Sequence, residues 1–408
     1  MRTGKRDSKT ALPYDIMQPT TENIRLAVDR LMHGDLVAFP TETVYGLGGN
    51  AYDDASVAKI FSYKNRPEFN PLSICYGSLE QAAEDVVVTK EALLISQHFL
   101  PGPITLLLKR RPNSRLSWLC SAGLETVGIR IPSHPIAQEL LARLSFPLAA
   151  PSANQSGKIS PTSAVLAAQA LMASPPADMY AHCNCNVEAE STKVNGSSVT
   201  LAAHALMASP PADWYAHCNC SHISVRHPEE RIARRRDQVS AMASPTVAEG
   251  SEAVIGSNVT LVIDGGQCPI GIESTIVDLG GDNPRILRLG AVAKDEISEK
   301  CGLHFDENLH ETPAAQLKHY TISKKIVLNC TSADKSDALL AFGTPFPNEC
   351  SHVLNLSSSG NLSEAAGNLF AMILELDKTN AKRICVMPIP NIGIGIPIND
   401  RLNKSAQS

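Results

Sequence analysis

The segment YKNRPEFNPL, residues 63 to 72, holds Lys64 and Arg66 two positions apart, followed by Pro67, Asn70 and Pro71. Two cations on a proline-stiffened segment suit a polyanion that is met without first ordering a loop, because pre-organisation removes part of the entropic cost of binding. A second polar cluster lies in PSANQSGKISPT, where Ser152, Asn154, Ser156 and Ser160 flank Gly157 and offer hydroxyls and backbone amides to an anion. It is not a P-loop, since Gly-Lys-Ser/Thr occurs nowhere in the chain. Thr41, Thr43 and Tyr45 follow a short strand, where ligands of α/β folds gather. Arg130 in IRIP suits a carboxylate, which a guanidinium grips with two parallel hydrogen bonds. Ser274 in IESTIVD and Arg288 in RILRLG fall on neighbouring predicted strands. There is no HExxH and no Cys-x-x-Cys. This inventory suits a nucleotide and a small polar acid, joined by placement and charge neutralisation.

These residues need elements to hold them. TENIRLAVDRLMHGD has Ile24, Ala27, Val28 and Leu31 at helical spacing, with Thr21 as N-cap and Gly34 as stop. LVAFP reads as a buried strand, ASVAKIFSYK as a helix, PITLLLKR and TVGIRIP as strands, and HPIAQELLARL as a helix with proline in its first turn. VTLVIDGG, STIVDLGG and PRILRLG are β-branched runs separated by glycines, which predicts antiparallel strands. Residues 291–323 are polar and weakly periodic, a linker or lid. From residue 324, KKIVLN, HVLNLS, EAAGNLFAMILELDK and RICVMPIP alternate strand and helix, so residues 324–408 form a small α/β domain. The expected fold class is α+β, with a substantial mixed sheet in residues 20–290.

A length of 408 residues predicts two or three domains. A net charge of −5 disfavours a general nucleic-acid coat. No apolar run is long enough to cross a membrane, and residues 1–19 are basic without an apolar core, so a disordered leader and a cytoplasmic location are expected. The 11 cysteines suit reduced thiols better than a disulfide framework.

LAAQALMASPPADMYAHCNC at 166–185 returns as LAAHALMASPPADWYAHCNC at 201–220. Such near-identity points to a duplication within a tolerant surface loop over 168–258, since a solenoid needs three or more units. His182, Cys183, Cys185 and their copies His217, Cys218, Cys220 offer zinc ligands, but Cys-x-Cys is tighter than the usual zinc spacing. Arg234, Arg235 and Arg236 form a charge run whose default is a solvated face.

Read in order, FPTETVYGLGGNA, KNRPEFNPL, PGPITLLLKR, TVGIRIPSHP, PLAAPSANQSGKISPT, DGGQCPIGIESTIVD and PRILRLG resemble the YrdC/Sua5 family of threonylcarbamoyl-AMP synthases. The tail AAGNLF…PIPNIGIGIPINDRL resembles the C-terminal domain of the longer, Sua5-type members. The resemblance covers most of 20–167, 259–290 and 318–408. It implies a YrdC-like twisted mixed sheet, a linker and a small Rossmann-like C-terminal domain. The implied reaction joins L-threonine, bicarbonate and ATP, with Mg²⁺, into threonylcarbamoyl-adenylate and pyrophosphate. The product then feeds t6A formation at tRNA position 37 through a threonylcarbamoyl-transferase complex.

The resemblance also implies roles. Thr43, Cys75, Arg130, Ala150 and Ser274 would hold L-threonine. Arg66, Asn70, Thr126, Ser152, Asn154, Ser160, Arg288 and the linker residue Tyr320 would hold ATP, with Lys64 and Arg66 stabilising the reacting phosphates. Cys75 stands where the family usually has histidine, HYTI replaces HYAP, and Leu289 replaces a common proline. Three rivals remain: the carbamoyl-adenylate chemistry of hydrogenase maturation, a module binding double-stranded RNA or tRNA, and an inactive copy.

Overall fold

Described here are residues 15–172, 259–305, 319–346 and 349–407 of a computed structural model, all within one unit assembled from 1–176 and 256–408. Most of the duplicated segment, with its cysteines and the arginine run, lies outside the described residues.

β1 (Asp15–Met17) leads into α1 (Thr21–Met32). The N-cap is Thr20, one residue before the sequence expectation: its Oγ1 accepts from Asn23 N at 3.2 Å. Gly34, at φ +80°, turns the chain out of the helix. β2 (Leu36–Phe39) and β3 (Gly46–Asn50) follow, then α2 (Asp54–Lys64), capped by Asp53, whose carboxylate accepts from Ala55 N and Ser56 N. Next come β4 (Ser73–Cys75), α3 (Leu79–Ala82), α4 (Lys90–Phe99), β5 (Ile104–Lys109) and β6 (Thr126–Arg130). α5 (Pro135–Arg143), β7 (Leu148–Ala149) and α6 (Ala164–Met172) complete the first stretch. Beyond residue 258 come β8 (Val259–Ile263), β9 (Thr275–Asp278), β10 (Arg285–Arg288) and α7 (Lys294–Cys301).

Strands β1 to β10 form one mixed sheet in the order β1-β8-β2-β3-β7-β4-β6-β5-β9-β10. The expectation of three mutually antiparallel strands at 259–288 holds only for β9 and β10. β8 instead inserts between β1 and β2, parallel to both, because residues 264–274 carry the chain across to β5, beside which β9 runs parallel. Local strand propensity does not encode that crossing. Along β5 and β6 side chains alternate between faces. Ile104, Leu106, Leu108, Val127 and Ile129 are fully buried in the main core. Thr105, Leu107, Lys109, Thr126, Gly128 and Arg130 occupy the opposite face.

The segment after β10 is less of a linker than its composition suggests. α7 lies in it, and Ile297, Cys301, Leu303 and Phe305 join the main core. The C-terminal sheet comprises β11 (Lys325–Val327), β12 (Ala338–Ala341), β13 (His352–Asn355) and β14 (Arg383–Val386), with α8 (Leu362–Asp377) and α9 (Gly395–Ala406). Its order is β11-β14-β12-β13, and all pairs are parallel. The β12 strand, ALLA, lacks the β-branched residues that mark the others and was not anticipated. Both sheets meet through Val44, Ile159 and Ile272, which pack into the core of Leu369 and Phe370. Gly271 is required at this seam: its φ is +76°, and a Cβ there would stand 2.5 Å from Ala366 O.

Candidate active site

Strand register builds the site before any side chain is considered. Cys75, Arg130, Thr105, Ile276 and Arg288 are paired laterally across β4, β6, β5, β9 and β10. Laterally paired residues share one face of a sheet, so these five line the face opposite the main core. A bulge between Ile286 and Arg288 brings the arginine into that row.

At its centre, Arg130 Nη2 donates to Glu42 Oε1 at 2.7 Å, to Thr43 Oγ1 at 2.7 Å and to Thr41 Oγ1 at 3.3 Å. Glu42 Oε2 accepts from Ser133 N at 3.0 Å, which fixes the carboxylate. Arg130 Nε is buried and has no partner. Beside it, burial pushes the Cys75 thiol up to about 11, only partly offset by Arg130, so Cys75 presents a neutral, weakly polar wall. Ala150 lies next to β4, its backbone N–H donating to Ser73 O at 2.9 Å.

One strand over, Ser274 Oγ lies 2.8 Å from Thr105 Oγ1. Arg288 Nη2 donates to Ser274 Oγ at 2.9 Å and its Nε to Ser274 O at 3.0 Å. The adjacent Glu273 accepts from Ser160 Oγ at 2.8 Å and from Arg401 Nε at 3.1 Å. Burial pushes the Glu273 carboxyl up, but Arg401 and then Arg288 outweigh it and hold it below its ordinary value.

The two cations of the proline-stiffened segment are separated by the end of a helix. Asn65 adopts the left-handed conformation at φ 47° and terminates α2 immediately after Lys64. The Lys64 amine is enclosed, donating to Ser152 O and Asn154 O, while Ser156 N donates back to Lys64 O at 2.9 Å. Burial, then the nearby Arg66 charge, holds the amine well below its ordinary value. Arg66 donates through Nε to Asn70 O at 2.9 Å, and through Nη2 to Asn70 Oδ1 and Pro71 O, both at 2.7 Å. Burial, and secondly the proximity of Arg288, push Arg66 down to about 10. Asn154 Nδ2 donates to Gln155 O and Lys158 O, and its buried Oδ1 has no partner.

Tyr320, at φ 60°, stacks on Phe370 with ring centroids 5.5 Å apart, and the Arg401 guanidinium carbon lies 5.8 Å from its ring. Thr126 stands apart from these contacts. It shares a face with Arg130 but lies four residues away along β6, roughly 13 Å at the usual strand rise. The sequence inventory did not single out Glu42, Thr105, Glu273 or Arg401. Glu42 and Glu273 had a signal, since each adjoins a hydroxyl residue that was singled out; Arg401 had none.

A family model described as telomere recombination, covering Sua5, YciO and YrdC, matches residues 29–204 and 213–290. A second, described as threonylcarbamoyl-AMP synthase, C-terminal domain, matches residues 286–407. The chain therefore belongs to the Sua5/YrdC family of threonylcarbamoyl-AMP synthases. The threonylcarbamoyl-AMP synthase of Pyrococcus abyssi is 28% identical over 94% of this chain and 94% of its own. That of Bacillus subtilis is 26% identical over 96% of this chain and 95% of its own. The crystal structure of P. abyssi Sua5 complexed with L-threonine superposes with a TM-score of 0.67 at 26% identity, covering 96% of both chains.

Proposed function

We propose that the protein is an L-threonylcarbamoyladenylate synthase, forming threonylcarbamoyl-AMP and pyrophosphate from L-threonine, bicarbonate and ATP for t6A formation on tRNA. Family membership and the likeness to a relative solved with L-threonine support the reading. The observation that carries it is Arg130, a buried guanidinium with an unpartnered Nε, braced by Thr43 and Glu42 beside the neutral Cys75 wall. Such a group is ready to take the carboxylate of a small amino acid.

In this scheme Arg130 and Thr43 hold the threonine carboxylate, and Ser274, Cys75 and Ala150 border the rest of the substrate. Bicarbonate adds to the threonine amine with loss of water, giving a carbamate. A carbamate oxygen attacks the α-phosphorus of ATP, and the bond to the β-phosphate oxygen breaks as pyrophosphate leaves. Lys64, Arg66 and Arg288 neutralise the charge gathering on the phosphates, which lowers the barrier without any covalent intermediate on the protein. Asn70, Ser152, Asn154, Ser160 and Thr126 hold the nucleotide, and Tyr320 covers it.

Mg²⁺ would arrive on ATP. No group of three or more His, Cys, Asp or Glu among the described residues is placed to hold a metal. Two carboxylates of the site, Glu42 and Glu273, are already engaged by arginines. Phosphate oxygens are the expected ligands of a metal in such a site. We read residues 20–290 as the catalytic domain, 291–323 as a lid-bearing linker and 324–408 as a Rossmann-like domain. The product passes to a threonylcarbamoyl-transferase complex.

The test is pyrophosphate release with ATP and bicarbonate, with and without L-threonine. Threonine-dependent release that disappears in Arg66→Ala supports the assignment. Absence of release from folded wild-type protein overturns it.

A further inference from the structure

Arg401, on α9 of the C-terminal domain, is nearly sealed from solvent, with 1% of its surface exposed. Its Nε bonds Glu273 Oε2 at 3.1 Å, its Nη1 bonds Leu289 O at 2.6 Å and Asp400 Oδ2 at 3.0 Å, and its Nη2 has no partner. Glu273 and Leu289 immediately adjoin Ser274 and Arg288. Arg401 therefore grips, from the second domain, both strand ends that carry the candidate site.

Buried ion pairs are weak devices for stability, because desolvation offsets most of the attraction, so a pair in this position calls for another purpose. Glu273 is 7% exposed and has two cations in range: Arg401, which it bonds, and Arg288, which it feels without a hydrogen bond. Arg288 instead donates to Ser274. We propose that Arg401 is a positioning residue that keeps the Glu273 carboxylate occupied, leaving Arg288 on Ser274 and free to take a nucleotide phosphate. Without Arg401, the carboxylate is a buried charge whose nearest remaining cation is Arg288. Capture of Arg288 would neutralise it and turn it from the substrate face. The C-terminal domain thereby reaches the chemistry through the Arg401 side chain. Burial opposes the Arg401 charge, but Tyr320, Glu273 and Asp400 outweigh it, so the group remains a cation at any working pH.

This inference rests on the synthase reading only for the identity of the nucleotide, so ATP affinity is measured directly by calorimetry beside threonine-dependent pyrophosphate release. Arg401→Gln is expected to weaken ATP binding by roughly tenfold or more, the scale of one lost charge-assisted hydrogen bond. Adding Glu273→Gln to that variant removes the competitor and is expected to restore ATP affinity to within about threefold of wild type, since little more than a neutral hydrogen bond then differs. A merely structural arginine predicts the reverse, with the double variant as weak as the single or weaker. That result, or an Arg401→Gln protein with unchanged ATP affinity, overturns the proposal. Should Arg401→Gln fail to fold, Arg401→Lys decides: it keeps a cation against Glu273 and is expected to bind ATP nearly as wild type, and a tenfold loss in the folded protein overturns the proposal. Wild-type protein that binds ATP but releases no pyrophosphate would refute the synthase reading and leave this test intact.

Discussion

Lys64 is the clearest case of a residue whose chemistry depends on its enclosure. An amine so buried gives up its proton more readily than in water, and a nearby anion pulls the balance back. Between the lowered value and the ordinary 10.5, Lys64 without nucleotide binds less than a full proton, and a triphosphate raises that occupancy. ATP binding is therefore expected to take up protons. Calorimetric enthalpies taken at steps from about pH 8, where the γ-phosphate no longer titrates, up to the ordinary 10.5 should vary with buffer ionisation heat in the direction of uptake. In Lys64→Met that dependence should shrink towards zero; an unchanged slope would place the proton elsewhere. Residue types made much of this site legible in advance: Arg130, Ser274, Arg288 and the Lys64–Arg66 pair each carry a charge or hydroxyl in a local pattern. Arg401 was not legible, because its partner Glu273 is 128 positions away and DRL in a helix reads as surface charge.

At the scale of elements, β9 and β10 are held at a spacing that only glycine permits. A Cβ on Gly290 would stand 2.3 Å from Ser274 C and 2.4 Å from Thr275 N, both backbone atoms that cannot swing aside. Gly290→Ala must therefore push the end of β10 from the start of β9 and move Arg288 from Ser274. Its expected cost is at least the roughly 1–3 kcal/mol of an overpacked core, read as a lower melting temperature, with ATP affinity falling alongside. A variant that melts normally would show that the strands part without strain. Elements with amphipathic spacing and caps, such as α1, α2 and α5, were legible to within a residue or two. Strand partners were not, since β8 pairs with β1 and β2 only because of where residues 264–274 lead the chain. Likewise β12 gains its strand identity from the parallel neighbours β13 and β14 rather than from ALLA itself.

For the whole molecule, two sheets share one seam and the candidate site lies against it. Neither sheet needs residues 173–258 to define its order, and α6 packs directly on β8 and β1, which brackets that segment. Replacing 173–258 by a short Gly/Ser linker is expected to leave threonine-dependent pyrophosphate release within about threefold of wild type, as insertions between packed elements usually allow. A folded but inactive deletion would assign the segment a part in the reaction. The two-sheet division was readable from the renewed strand–helix pattern after residue 324; the seam was not, because it rests on close backbone approach at Gly271 rather than on any side-chain pattern. The Arg401–Glu273 bridge also has a consequence for biosynthesis. Chains emerge N-terminus first, and domains generally fold as they appear. Glu273 is translated well before Arg401, so a nascent chain that has folded its first sheet carries a Glu273 carboxylate without its Arg401 partner and left to draw in Arg288. Until α9 is made and docks, the growing polypeptide should bind ATP weakly, so a ribosome-bound or prematurely terminated product would consume substrate more slowly than the finished chain.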